Sequence, residues 1–270
     1  MITVELVKML RRPRTWVIIA MLVALPTLVA VLLAVTDLAP APGEGPPFLS
    51  AVLSDGTLFP LAALGVVLPL FLPIAVAVLG GDAIAGEAQT GTLRYLLARP
   101  VGRTRLLVAK LVTVVAFVLL AVLVVFAVTA VEGRLLLGDA PATGTVSLSG
   151  SALTPADLGV RTALALGYVV VSMLGVAAVA LFFSTLTTSS IGAALGTIGL
   201  LIASTVLLGL DAAGALHPYL PTRYWLAFVD LFRDPILWTD VGRGLGVQLA
   251  YLLVFTLAAW ASFTTKDIDD

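Results

Sequence analysis

The sequence contains no cysteine and only one histidine, His217, among its 270 residues. The absence of cysteine excludes disulfides, thiolate metal sites and a cysteine nucleophile. A single histidine disfavours histidine-rich metal sites and triad chemistry. We therefore expect neither a metal site nor a catalytic centre in this chain.

Charged residues are also scarce. They make up 11% of the chain, against about 25% in an ordinary soluble domain. The 15 basic and 16 acidic residues nearly cancel to a formal net charge of −1, which provides no overall basic field for nucleic acid. Hydrophobic residues make up 60% and the mean hydropathy is +1.12. One soluble core could not bury that apolar surplus, so the sequence predicts an integral membrane protein.

Six apolar stretches are long enough to cross a bilayer, which requires roughly 20 residues for about 30 Å of hydrocarbon. These stretches are continuous runs of Ala, Val and Leu rather than alternating patterns, which favours helices. An all-α membrane protein with six transmembrane helices follows. The predicted spans are residues 16–36, 58–80, 106–131, 162–183, 191–210 and 245–263.

The basic residues are unevenly distributed between the connecting segments. With six spans, both ends of the chain share one side, and that side has twice as many lysines and arginines as the other. Because an excess of Lys and Arg marks the cytoplasmic side, we predict that both ends and residues 81–105 face the cytoplasm. High Ala and Arg content with few lysines also indicates a GC-rich prokaryotic genome, and hence a location in the cell membrane.

The cytoplasmic segment between spans two and three is the most informative one. Apolar residues recur at helical spacing while Glu87 and Arg94 remain polar, which predicts a short helix along the membrane interface. Pro100 and Gly102 would end it. The following arginines could contact lipid phosphates or an acidic protein surface, or could simply anchor the loop on the positive side. The apolar stripe comprises Ile84, Ala88, Leu93, Leu96 and Leu97.

The same segment contains the pattern Glu87-x3-Gly91-Thr92-Leu93-x2-Leu96-Leu97-x2-Pro100-x2-Arg103, followed by Lys110 and a long span. This pattern resembles the cytoplasmic loop of ABC-2-type transporter permeases. The six spans, the basic amino-terminal segment and the hydrophobic hairpin before the last span are similar to that family as well. The resemblance covers residues 1–270, which it implies form a single transmembrane permease domain.

The resemblance implies that the loop is a coupling helix that docks on a separate ABC ATP-binding subunit. It also implies export, two ATP-binding copies that hold ATP and Mg, and a second permease copy that forms either a homodimer or a heterodimer with this chain. External re-entrant helices would precede span six. The sequence has no Gly-x4-Gly-Lys-Ser/Thr phosphate loop, so we do not expect this chain to hydrolyse ATP. The coupling residues carried over are Glu87, Gly91, Thr92, Leu93, Arg94, Tyr95, Arg99, Pro100 and Arg103; Glu87 and Arg94 could equally be solvated surface charges.

Two further segments have interfacial character. Residues 3–14 place Val4, Val7 and Leu10 near one face and basic residues on the other, which predicts an interfacial helix that either lies beside the ATPase contact or anchors to membrane lipid. Residues 211–243 interleave aromatic and charged side chains, a mixture typical of the headgroup level. We expect His217 to be a loop residue there.

Inside the spans, Pro69 and Pro73 should kink span two. Gly192 and Gly196 allow close helix approach in span five, either against a second permease copy or, as we favour, within one copy. Ser204 supplies only a hydroxyl. No ionisable residue is expected at the centre of any span. A transport path between these spans would therefore be apolar, which favours an apolar or amphiphilic cargo such as a lipid or a hydrophobic drug.

Three functional hypotheses remain at this stage. The first is a transport subunit driven by a separate ATPase, and the second is a non-transporting scaffold or sensor that recruits an ATPase. An ion-coupled carrier is disfavoured, because the sequence shows neither buried ionisable groups nor inverted repeats.

The predicted topology can be tested in this cysteine-free chain. A cysteine introduced as Tyr95→Cys should react with a membrane-impermeant maleimide only in inverted vesicles, because the basic loop is predicted to face the cytoplasm. Gly214→Cys, on the opposite side, is the matched control and should react only in intact cells. The reverse labelling pattern would contradict the topology.

Overall fold

The computed structural model describes residues 1–36, 48, 52, 55–91, 102–138 and 147–265. In these ranges all the regular elements are helices and no strand is formed. Short 3₁₀ helices cover Gly56–Leu58, Asp211–Tyr219 and Trp225–Phe232. The α-helices are α1 (Ile2–Arg11), α2 (Pro13–Thr36), α3 (Phe59–Val67), α4 (Phe71–Gln89), α5 (Arg103–Leu136), α6 (Pro155–Leu186), α7 (Ser190–Leu208) and α8 (Trp238–Thr265).

Six of these helices, α2 and α4 to α8, are long and apolar enough to cross a membrane. This confirms the six-span, all-helical prediction. Local sequence explains where two of them begin. Thr154 caps α6 by accepting a hydrogen bond from the Asp157 N–H at 3.1 Å, and Ser189 caps α7 by accepting one from the Gly192 N–H at 3.1 Å. Each cap satisfies a backbone donor that the first helical turn leaves open.

The second span differs from the prediction of one helix over residues 58–80. The helical path is interrupted after Val67, and α4 starts at Phe71. Pro69 lies in the interruption, where its ring and missing N–H do not suit a helix interior, while Pro73 falls in the tolerated first turn of α4. Instead of kinking one helix, the two prolines therefore mark a break between two helices, α3 and α4.

The predicted end of the second span at residue 80 is wrong as well. Residues 81–89, predicted to belong to a separate interfacial helix, continue α4 to Gln89. The Ser184 hydroxyl of α6 accepts hydrogen bonds from the Ile84 and Ala85 N–H groups at 2.9 Å and donates to the Gly81 carbonyl at 2.7 Å. Tertiary packing thus extends the helix beyond the glycines at which the hydropathy pattern ends.

Glycines fix two close approaches in the bundle. A Cβ atom on Gly133 of α5 would lie 2.3 Å from the Gly56 carbonyl oxygen, so the start of the second span can meet α5 only where side chains are absent. A Cβ atom on Gly81 would lie 2.8 Å from the Ala194 nitrogen of α7. The first contact lies far from Lys8, Arg14 and Lys110. We call the end of the bundle that holds these cations the basic end, and the other the opposite end.

The segment between α7 and α8 forms two 3₁₀ helices, and its aromatic residues divide into two groups. Trp225, Phe228 and Phe232 are buried in the protein core, whereas Tyr219 and Trp238 are exposed. The Trp225–Phe232 helix packs against α6 and α8, which explains why these three aromatic side chains are buried inside the protein. His217, expected in a loop, lies in the Asp211–Tyr219 3₁₀ helix, and its Nε2 atom contacts the Leu207 carbonyl oxygen at 2.9 Å.

The crossing of Gly56 and Gly133 provides a stability test. Gly133→Ala should destabilise the chain by about 1–3 kcal/mol, because the added methyl must displace backbone. Gly167→Ala is the matched control: nothing lies within 4 Å of its Cβ position, so it should be neutral or slightly stabilising. Thermal unfolding in detergent measures both. Equal stability of the two variants would contradict the close approach.

Candidate functional site

The most distinctive polar feature of the structure is a buried lysine that contacts two carboxylates. Lys110 Nζ of α5 lies 2.6 Å from Glu5 Oε2 of α1 and 2.5 Å from Glu87 Oε1 of α4. All three side chains are buried, with exposed fractions of 8% for Glu5 and 4% for the other two. One cation therefore joins three separate helices inside the protein.

More cations extend this arrangement toward the surface. Lys8 Nζ contacts the same Glu87 oxygen at 2.6 Å, and Asp82 of α4 contacts Arg12 at 3.1 Å and Arg14 at 3.3 Å. The arginines and Lys8 are partly exposed, so these outer pairs are the more strongly screened ones. We call the whole group the ionic cluster; it consists of Glu5, Lys8, Arg12, Arg14, Asp82, Glu87 and Lys110.

The chain between α1 and α2 is fixed by hydrogen bonds as well. The Thr15 hydroxyl donates to the Met9 carbonyl at 2.8 Å, and the Trp16 indole N–H donates to the Leu10 carbonyl at 2.8 Å. Both acceptors belong to the last turn of α1, whose carbonyls have no partner within the helix. The first turn of α2 thus sets the angle at which α1 presents Glu5 and Lys8 to the cluster.

The faces of α1 agree with the predicted interfacial helix. Val4, Val7 and Leu10 are exposed, whereas Glu5 and Met9 are buried. An exposed apolar stripe beside a buried polar contact is suited to a helix that lies along the membrane surface.

A small cavity of about 50 Å³ lies within the ionic cluster. Its walls include Met9, Thr15 and Thr113 besides the charged residues. Since a water molecule needs about 10–15 Å³ of such volume, the cavity is large enough for a few waters and too small for an organic cargo. The ionic cluster is therefore a junction between helices rather than a transport passage.

A family model described as ABC-2 family transporter protein matches residues 1–203. The chain belongs to the ABC-2 transporter family. The matched range contains α1 to α6, most of α7 and the entire ionic cluster. No curated protein matches the chain. ABC-2 permeases are membrane transport subunits that are generally not catalytic themselves and generally work with an ABC ATP-binding subunit.

The structure places three of the predicted coupling residues of this ABC-2 permease. Glu87 lies in the ionic cluster, and Gly91 follows α4 with φ +70°, a left-handed conformation that suits glycine after a helix end. Arg103 opens α5 and donates to the Phe263 and Thr264 carbonyls of α8 at 3.2 and 3.0 Å. The remaining predicted residues, Thr92, Leu93, Arg94, Tyr95, Arg99 and Pro100, lie outside the described residues.

The predicted packing residues of span five make contacts within one chain. A Cβ atom on Gly196 would lie 3.0 Å from the Phe183 ring of α6, and Gly192 lies beside Ser189. The Ser204 hydroxyl is 2.7 Å from the Thr222 hydroxyl. Gly196 thus acts in packing inside the permease.

Sequence reasoning did not identify Glu5, Asp82 or Ser184, and it used Lys110 as a cytoplasmic basic residue and as the end of the family pattern, without a buried role. One signal was available: Lys110 interrupts an apolar run, and a buried lysine in a span needs a carboxylate partner. The partners themselves come from residues 105 and 23 positions away along the chain, so spacing could not reveal them.

Removing the central cation tests the ionic cluster. Lys110→Met should destabilise the chain by about 3–5 kcal/mol, because two carboxylates stay buried without it. The triple variant Lys110→Met, Glu5→Gln, Glu87→Gln should recover most of that loss. Arg243→Gln, which breaks an exposed pair with Asp240, is the control and should change stability by less than about 0.5 kcal/mol. Unfolding of Lys110→Met at the parent temperature would contradict the cluster.

Proposed function

We propose that this ABC-2 permease exports an apolar or amphiphilic molecule and that a separate ATP-binding subunit drives it through the basic end. The observation that supports this proposal most directly is the contact of Lys110 with both Glu5 and Glu87. These ion pairs make α1, α4 and α5 one mechanical unit on the side where the family places its ATPase.

The coupling step follows from the connections of that unit. Residues 92–101 join the end of α4 to the start of α5, and Glu87 and Lys110 link the same two helices. A push on this segment would therefore move both helices together. Along α4 the displacement would reach the interruption between Val67 and Phe71. Bending is easiest there, because regular helical hydrogen bonding is interrupted.

The orientation belongs to this proposal. The basic end faces the cytoplasm because the sequence concentrates Lys and Arg there. In that orientation α1 and the facing ends of α4 and α5 lie on the side of the ATP-binding subunit, and the exposed apolar stripe of α1 contacts inner-leaflet lipid. Two permease copies and two ATP-binding copies would form the working unit, with ATP and Mg held by the partner.

Three threonine hydroxyls of the spans favour a poorly hydrated cargo. The hydroxyls of Thr113, Thr197 and Thr205 each donate to the carbonyl four residues earlier, at 2.8, 3.0 and 3.0 Å. These donors are already used by their own helices and offer little to a sugar or a hydrated ion. An apolar or amphiphilic molecule needs fewer such partners.

The test uses the permease purified with its ATP-binding subunit in proteoliposomes. Glu87→Ala and Arg94→Ala should each lower ATP-dependent efflux of a hydrophobic dye at least about tenfold, the loss expected when a charged contact is removed, while the subunits still copurify. Arg243→Gln, at the opposite end, should transport like the parent.

Two outcomes would contradict the proposal. A parent complex that binds and hydrolyses ATP but moves no tested amphiphile would indicate a scaffold or sensor instead. Failure of any ATP-binding protein to copurify with the parent chain would remove the energy source on which the proposal depends.

A further inference from the structure

Glu132 is a carboxylate placed among membrane-spanning helices without a cation. It belongs to α5, and its Oε1 atom lies 2.6 Å from the Thr27 hydroxyl of α2. Its Oε2 atom is buried and has no hydrogen-bond partner among the described residues. The ion pairs formed within the described ranges do not include Glu132 either. All five basic residues assigned to the opposite side are within those ranges.

The depth of this carboxylate makes it unusual. Thr27 lies 13 residues beyond Arg14, which is about 20 Å along α2 at about 1.5 Å per residue. α2 then continues nine more residues to Thr36, or about 13 Å. Glu132 therefore reaches Thr27 at a level inside the hydrocarbon thickness of about 30 Å. The third predicted span ends at Val131, so Glu132 lies just beyond it on α5, and its side chain meets α2 at Thr27, inside the first predicted span.

An apolar groove of about 580 Å³ runs along α2, and Thr27, the hydrogen-bond partner of Glu132, lies in its wall. It extends from Trp16 to Val31, is bordered by Val124 of α5, and contains Thr27 in its wall. Eight of its nine lining residues belong to α2, so it is an open surface groove with a length of about 22 Å at about 1.5 Å per residue. The Trp16 N–H is already used by the Leu10 carbonyl, so Thr27 is the polar group in the wall that leads to Glu132.

Thr27 has more hydrogen-bond acceptors around its hydroxyl than it has protons to donate. Its hydroxyl has one proton and two acceptors within reach, the Val23 carbonyl at 3.0 Å and Glu132 Oε1 at 2.6 Å. A primary ammonium group carries three N–H donors and a positive charge. It would supply both the missing donors and the missing countercharge.

We propose that this groove is a binding site for an amphiphilic cation, with an ammonium group at Glu132 and Thr27 and an apolar body along α2. A neutral amphiphile brings no cation to Glu132, and an anionic amphiphile would bring a second acidic group beside it. The binding site stands on its own observations; only its use as a cargo site rests on the proposed export function.

The test measures equilibrium binding of tritiated dodecylammonium to the full chain in phosphatidylcholine nanodiscs, with empty nanodiscs subtracted. Glu132→Gln should weaken dodecylammonium binding at least about tenfold, the loss expected for a charge-assisted contact, and leave binding of uncharged dodecanol unchanged. Asp240→Asn, an acid in the first turn of α8 that contacts Arg243, is the matched control and should change neither.

A second variant tests the groove with the carboxylate intact. Ala24 is exposed in the groove wall, so Ala24→Phe fills the groove without disturbing the core, and it should weaken dodecylammonium and dodecanol alike. Unchanged dodecylammonium binding in Glu132→Gln, unchanged binding of both ligands in Ala24→Phe, or dodecyl sulfate binding as tightly as dodecylammonium would each overturn the proposal. Because no ATP-binding subunit is present, these results are independent of whether the chain is an ATP-driven exporter.

Discussion

The ion pairs that Lys110 makes with Glu5 and Glu87 are the interaction on which the basic end depends. A ten-residue helix such as α1 is too short to be stable alone in water, and here it is held by a buried charge contact on one face and by exposed apolar residues suited to lipid on the other. Buried charges are costly to desolvate, so the three groups are compatible with folding only together. This mutual requirement fixes α1 against α4 and α5 in one arrangement.

The rest of the second span is built differently. Between Val67 and Phe71 the helix is interrupted, and near Gly81 the Ser184 hydroxyl of α6 adds hydrogen bonds to the backbone of α4. A firmly linked basic end thus continues into a helix that begins at an interruption. In an ABC-2 permease such a combination is suited to passing a displacement from one end of the bundle toward its middle, because stiff segments transmit motion and interrupted ones absorb it.

The buried carboxylates of the basic end differ from Glu132 in having cations as partners. At the basic end carboxylates and cations meet within a narrow junction, so each buried charge has a partner. Glu132, toward the opposite end, has a hydroxyl contact and no cation among the described residues. The first arrangement is complete within the chain and therefore explains stability. The second is incomplete within the described part of the chain, and for that reason it indicates a ligand.

The sequence by itself determined the membrane class, the six helices, the amphipathic faces of α1 and the family, because each depends on composition, local periodicity or a short motif. It could not place the ends of the second span, since hydropathy falls at Gly80 while packing against Ser184 carries α4 to Gln89. Nor could it show that Glu87 lies between Lys8 and Lys110, or that Thr27 meets Glu132, 105 residues away. Only the tertiary structure decided these, because charges far apart along the chain become partners through the packing of the helices that carry them.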